Sequence, residues 1–85
     1  MRLYVSNVNF DASDRDLREF CEQFGGVHSA EIIYERSSGL SRGFAFVETA
    51  MDEDGSAMLN ALNNAEFMGR RLKVSEAIPR YRADR

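Results

Sequence analysis

The amino-acid sequence predicts a small α+β sandwich: a four-stranded antiparallel sheet with two helices on one of its faces, in the order β-α-β-β-α-β. Two segments, 13–24 and 51–62, place apolar residues at helical spacing. Four short stretches around them alternate apolar and polar residues, the mark of half-buried strands. Turn-forming residues punctuate the boundaries: Gly25-Gly26, a Gly-containing loop over 35–41, and Asn63-Asn64 with Gly69. At 85 residues the chain is long enough for one domain. A core this small needs most of its apolar positions.

Each element follows from its residues. Arg2 to Asn7 reads as the first strand, with Leu3, Tyr4 and Val5 at its centre. Ser13 followed by Asp16 forms a weak capping box at the start of a helix. Leu17, Phe20, Cys21 and Phe24 form its apolar stripe, and Gly25-Gly26 ends it. Val27 to Tyr34 is the second strand, with Ala30 and Ile32 at one parity. Glu35 to Ser41 suits a hairpin loop, and Gly43 to Thr49 is the third strand. Asp52, Glu53 and Asp54 open the second helix, where carboxylates meet the positive end of the helix dipole. Gly55, Met58, Leu59 and Leu62 give its buried stripe. Arg71 to Glu76 is the last strand, with Leu72 and Val74 inward. The domain is expected to span 1–78, followed by a loose basic tail over 79–85 that holds the only proline, Pro79. This order is the ferredoxin-like plan, and right-handed crossovers put both helices on one face. Nothing in the chain covers the other face unless the tail folds back.

Side-chain parity decides which residues face which way, because successive strand residues point to opposite sides. Glu48 shares a side with Phe44 and Phe46, while Ala45, Val47 and Thr49 share the other. Arg2 and Ser6 go with Tyr4, against Leu3 and Val5. Arg71, Lys73 and Ser75 oppose Leu72 and Val74. Turning Glu48, Arg2 and Lys73 toward the helices would bury unpaired charges, at several kcal/mol each on the order given for buried ions. The aliphatic set therefore faces the helices, and Tyr4, Phe44 and Phe46 face outward. An exposed aromatic patch on a small soluble domain marks a binding surface, and flat rings are platforms for nucleic-acid bases.

The formal net charge of −3 argues against a strongly basic nucleic-acid binder, but the charge is unevenly placed. Acid falls on the predicted helices: Asp14, Asp16, Glu19 and Glu22 on the first, and Asp52, Glu53 and Asp54 on the second. Base collects in the last strand and tail, with Arg70, Arg71, Lys73, Arg80, Arg82 and Arg85. The single cysteine, Cys21, excludes an internal disulfide and fits a reducing compartment. No apolar run approaches a membrane span, and strand-like sequence from Arg2 leaves no leader to cleave, so a cytoplasmic protein is expected. Catalysis finds no support: His28 has no identifiable partner, no metal-ligand cluster or glycine-rich phosphate loop is present, and Cys21 lies in an apolar stripe. No cofactor, metal or catalytic residue is expected.

With these residues in hand, the chain resembles the RNA recognition motif family over nearly its whole length. The octapeptide Arg42-Gly43-Phe44-Ala45-Phe46-Val47-Glu48-Thr49 matches the family's pattern of basic, Gly, aromatic, Gly/Ala, aromatic, Val, any, aromatic at all but the last position. Leu3-Tyr4-Val5-Ser6-Asn7-Val8 looks like the family's second motif. The resemblance implies that both lie on central, adjacent strands. Thr49 departs from the expected aromatic, but at an inward position, so it alters packing and spares the stacking face. Glu31, on the open side of the second strand, and the overall acidity are further departures that weigh on affinity.

Carried over residue by residue, the resemblance implies that Tyr4 and Phe46 stack on successive bases and that Phe44 lies against the sugars. Arg42 would pair with a phosphate, and Arg2 lies beside the rings. Arg71, Lys73 and Ser75 would line the edge of the sheet, Asn7 would hold the end of its strand, and backbone groups around 76–78 would read base edges. The short layout looks like small bacterial members of the family. The implied partner is single-stranded RNA and the implied role post-transcriptional regulation or RNA chaperoning. Single-stranded DNA stays open, since no residue can be assigned to the 2′-hydroxyl. The rival reading is a protein-interaction module that meets a basic partner through the acidic helices.

Overall fold

A computed structural model describes residues 1–77 of the chain. The expected tail over 79–85 and Ile78, one of the backbone groups assigned to base reading, lie outside the described residues. The elements are β1 (Arg2–Ser6), α1 (Asp14–Cys21), β2 (Val27–Tyr34), β3 (Ser41–Thr49), α2 (Asp52–Leu62), β4 (Glu66–Phe67), β5 (Arg70–Arg71) and β6 (Lys73–Glu76). Strands β2-β3-β1-β6 form one antiparallel sheet in that order, and β4 and β5 form a separate two-stranded hairpin. The expected sandwich is the observed one.

The helix side of the sheet is the core. Leu3, Val5, Ala45 and Val47 are completely buried on the two central strands, with Leu17 and Cys21 from α1 and Met58 and Leu62 from α2 packed over them. Thr49 is buried too, and its hydroxyl is satisfied: Oγ1 shares its proton between the carbonyls of Met1 (3.1 Å) and Met51 (3.0 Å). A threonine is tolerated at this inward position because its buried hydroxyl is hydrogen-bonded.

The capping box at α1 is reciprocal. Ser13 Oγ accepts from the Asp16 backbone N–H at 3.1 Å, and Asp16 Oδ2 accepts from the Ser13 N–H at 3.0 Å. The helix ends at Cys21, a turn before the glycine pair. Short backbone bonds from Gln23 to Phe20 and from Phe24 to Cys21 tighten the chain there, and Phe24 packs edge-on against Phe20 at 5.5 Å. The apolar spacing thus continues past the helix because the turn keeps Phe24 on the core side.

Side chains occupy polar positions along both outer strands of the sheet. On β2, Asp14 Oδ1 accepts from the Ile32 N–H at 2.7 Å and Arg18 Nη2 donates to the Val27 carbonyl at 3.2 Å. On β6, Asn63 Oδ1 accepts from the Val74 N–H at 3.1 Å. These contacts cover groups that another strand could otherwise pair with.

The last strand differs from expectation. The alternation over Arg71–Glu76 spans two elements: Arg71 belongs to the β4–β5 hairpin, and only Lys73–Glu76 joins the sheet. Leu72 is the break. Its N–H donates to the Ala65 carbonyl (2.9 Å) and its carbonyl accepts from Asn64 (2.8 Å), which pulls the chain off the β1 ladder. The hairpin turns through Met68 (φ 51°) and Gly69 (φ 85°). Two consecutive positive φ values make the tight turn that suits right-twisted strands.

Candidate nucleic-acid interface

The face opposite the helices holds the aromatic residues. In the β1–β3 register Tyr4 lies opposite Phe46, Ser6 opposite Phe44 and Arg2 opposite Glu48. Side chains of directly opposed residues rise on the same side of the sheet, so the ladder assembles the rings from two motifs forty residues apart in the chain. The ring centroids of Tyr4 and Phe44 are 5.5 Å apart, those of Tyr4 and Phe46 5.7 Å, and those of Phe44 and Phe46 6.3 Å. All three rings are half-buried, leaning on one another and keeping part of their surface open. Tilted contacts at these separations suit the ring quadrupoles and fix the cluster in place.

Two arginines lie over these rings. The Arg2 guanidinium sits 4.5 Å from the Phe46 centroid, and that of Arg42 5.7 Å from Phe44. Such contacts at exposed sites are worth about 0.5–1 kcal/mol, below the roughly 1–3 kcal/mol of a stacked base. Either contact is therefore weak enough for another flat group to displace it.

On the β6 side, Ser75 lies opposite Tyr4 and Lys73 opposite Ser6, whose hydroxyl donates to the Lys73 carbonyl at 3.3 Å. Lys73 Nζ donates to Asn64 Oδ1 at 3.1 Å, which holds the ammonium at the outer margin of the sheet. Arg71 does not join this group. It sits on the hairpin, with Nη1 donating to the Asn64 carbonyl at 2.9 Å. Glu31, opposite Phe46 on β2, and Glu48 put two exposed carboxylates on the aromatic face, against Arg2, Arg42 and Lys73. The face is thus close to electrically neutral.

The acids of α1 all have partners within the chain. Asp14 and Asp16 accept the backbone bonds described above, Glu19 pairs with Arg15 at 3.0 Å and Glu22 with Arg18 at 3.1 Å. Cys21 is buried, and burial pushes its thiol up to about 12 from an ordinary 9.0, with Glu22 adding to the shift. At neutral pH the sulfur is protonated and packed, without nucleophile character. His28 is exposed on β2. Among the described residues no group of three or more His, Cys, Asp and Glu could hold a metal ion, and no helix is long and apolar enough to cross a membrane.

Two residues near Gly43 were given no site role by the sequence. Phe10, in the loop between β1 and α1, is 63% exposed, and Arg70, on β5, holds its guanidinium 5.8 Å from the Phe10 centroid. Phe10 has no periodic partner in its loop, and its contact with Gly43 is made across the fold. The only local signal was one large aromatic in an otherwise polar stretch.

The arrangement has close counterparts. The family model described as the RNA recognition motif matches residues 3–73. The chain is 41% identical over 80 residues to the protein named "Putative RNA-binding protein RbpA" from Synechocystis, covering 94% of this chain and 79% of that one. Among solved structures it is similar to RNA Binding Protein PG1, with a TM-score of 0.86 and 41% identity over 94% of this chain and 96% of that one. It is also similar to an Sxl-lethal protein/RNA complex, with a TM-score of 0.85 and 31% identity over 92% of this chain and 47% of that one. With the motif match running through both central strands and the ring cluster they assemble, the chain belongs to the RNA recognition motif family.

Proposed function

We propose that this domain binds single-stranded RNA by stacking bases on its open sheet face. Tyr4 and Phe46 take two successive bases and Phe44 lies against the sugar between them. Arg42 and Arg2 meet flanking phosphates once displaced from the rings, and Ser75 and Lys73 line the β6 margin. Arg71 is reached only by RNA that continues past the sheet onto the hairpin. The observation that carries this reading is the cluster of three outward rings with guanidinium groups over two of them. Paired RNA is a poor ligand, because its bases cannot splay onto the rings.

Two stacked bases at roughly 1–3 kcal/mol each, with a few phosphate contacts, correspond to binding on the order of micromolar. Stacking tolerates any base, so sequence selectivity is modest. The near-neutral face gives a shallow salt dependence, about −0.7 in the log–log slope per phosphate neutralised. These properties suit post-transcriptional regulation or RNA chaperoning in the cytoplasm by a binding domain without catalysis, spanning residues 1–78. Single-stranded DNA is the nearest competing ligand. The internally partnered acids of α1 weigh against a basic protein partner at that helix.

A fluorescence titration with short random-sequence single-stranded RNA tests the reading. The Tyr4→Ala/Phe46→Ala variant is expected to bind at least about tenfold more weakly, the loss of ~1.4 kcal/mol or more from two stacking sites, while its circular dichroism stays that of the wild type. Equal affinity in a folded double variant removes the sheet face as the binding site.

A further inference from the structure

The ring cluster on the sheet ends at Phe44, and a further aromatic, Phe10, lies against the residue that precedes Phe44 in β3. Phe10 rests against the backbone of Gly43: a methyl group built at Gly43 would lie 2.9 Å from Phe10 Cε1. Gly43 has φ +83°, so both the space and the backbone conformation there suit glycine. The glycine that precedes Phe44 is thus the surface on which Phe10 sits.

The rest of the contact joins the β1–α1 loop to β3 and to the β4–β5 hairpin. The Val8 N–H donates to the Gly43 carbonyl at 2.9 Å, which extends the β1–β3 pairing beyond Ser6. Asn7, in the left-handed region at φ 62°, donates through Nδ2 to the Arg71 carbonyl at 2.8 Å. Its Oδ1 accepts from both Nε (3.2 Å) and Nη2 (2.7 Å) of Arg70. Asn9 Nδ2 donates to the Met68 carbonyl at 2.9 Å. These bonds tie the β1–α1 loop to the β4–β5 hairpin and hold the Arg70 guanidinium 5.8 Å from the Phe10 centroid.

A single exposed phenylalanine on a protein surface needs no explanation. Here a flexible arginine has been ordered beside it by an asparagine in a conformation uncommon for non-glycine residues, next to the glycine that precedes Phe44. We infer that Phe10 and Arg70 form an additional nucleotide subsite, with the Phe10 ring stacking a base that flanks those on the sheet and Arg70 meeting its phosphate. The inference rests on the stacking reading proposed above. It makes the binding surface longer than its two motifs: an RNA that fills only the sheet leaves Phe10 untouched, and a longer one reaches it.

The test compares labelled single-stranded RNAs of three and eight nucleotides. Wild type, Phe10→Ala, Phe10→Leu, Arg70→Gln and Tyr4→Ala/Phe46→Ala are titrated, each shown to be folded by its amide NMR spectrum. Phe10→Leu retains an apolar contact for Gly43 but has no ring. Both Phe10 variants should bind the eight-nucleotide RNA about five- to tenfold more weakly, the low end of the range for one stacked base, and the three-nucleotide RNA within twofold of wild type. Arg70→Gln should flatten the salt dependence for the longer RNA by about one phosphate's worth. Wild-type affinity of Phe10→Leu for the eight-nucleotide RNA overturns the subsite, as does an equal loss on both lengths. If Tyr4→Ala/Phe46→Ala loses binding while both Phe10 variants keep it, only this inference fails. If wild type and the double variant bind alike, the stacking reading fails as well.

Discussion

Strands β1 and β3 carry two sets of side chains that do opposite work. On one side Leu3, Val5, Ala45 and Val47 are completely buried beneath the helices. On the other, Tyr4, Phe44 and Phe46 stay half-open in a loose triangle with arginines above them. Neighbouring residues in the chain, such as Leu3 and Tyr4, therefore belong to different problems. The buried set contributes stability through apolar area removed from water. The open set contributes an apolar surface of tilted rings. A small domain can keep rings exposed because the strand's two-residue period separates them from the core.

The separation can be tested from both sides. The largest effect is expected from Leu3→Ala. It should lower stability by about 2–5 kcal/mol, the cost of emptying a buried leucine site, measured by urea unfolding. Affinity per folded molecule should stay within twofold of wild type, and a larger loss would mean that the two sides are mechanically coupled. A smaller effect is expected from Lys73→Ala at the margin of the open face. It should weaken all RNA sequences by a similar, few-fold factor and reduce the salt slope by about 0.7, as for one phosphate contact. A loss confined to one base would assign Lys73 to base reading instead.

An effect absent at neutral pH belongs to the core side and appears only in alkali. The Cys21 thiol is held up at about 12 in the folded chain, against an ordinary 9.0. Below pH 9 the thiol is protonated in both states and contributes no pH dependence. Above it the unfolded chain ionises first, so this contribution to stability falls as pH rises from about 9 toward 12. The stability difference between wild type and Cys21→Ala should be flat from pH 6 to about 9 and then shrink. A difference that stays flat above pH 9 as well would show a thiol less buried than the structure places it.

Much of this was legible in the chain because strand parity and charge agree. Arg2, Tyr4 and Ser6 share one side and Leu3 and Val5 the other, and placing charge in water selects the side of the rings without any tertiary information. The second strand was read from Val27 to Tyr34, the bounds observed, since turn signals flank it at both ends. The last strand was misread for a physical reason. Arg71, Leu72, Lys73 and Val74 alternate with period two, and alternation is equally satisfied by a hairpin arm followed by a sheet strand. What separates them is Asn64 and Ala65 holding Leu72 through backbone bonds, and backbone bonds leave no mark on side-chain pattern. Phe10 was illegible for a related reason: its contacts with Gly43 and Arg70 connect distant segments. Side-chain alternation therefore predicted the face, while the margins of the surface depend on loops that fold back to it.

The side chains along the outer strands have a consequence for crowding. A long transcript can hold many copies of a small domain close together, a setting in which exposed strand margins invite neighbouring sheets to fuse. Asp14 and Arg18 occupy polar groups on β2, and Asn63 occupies one on β6. With these groups engaged, those positions on the outer strands are closed to a neighbouring strand.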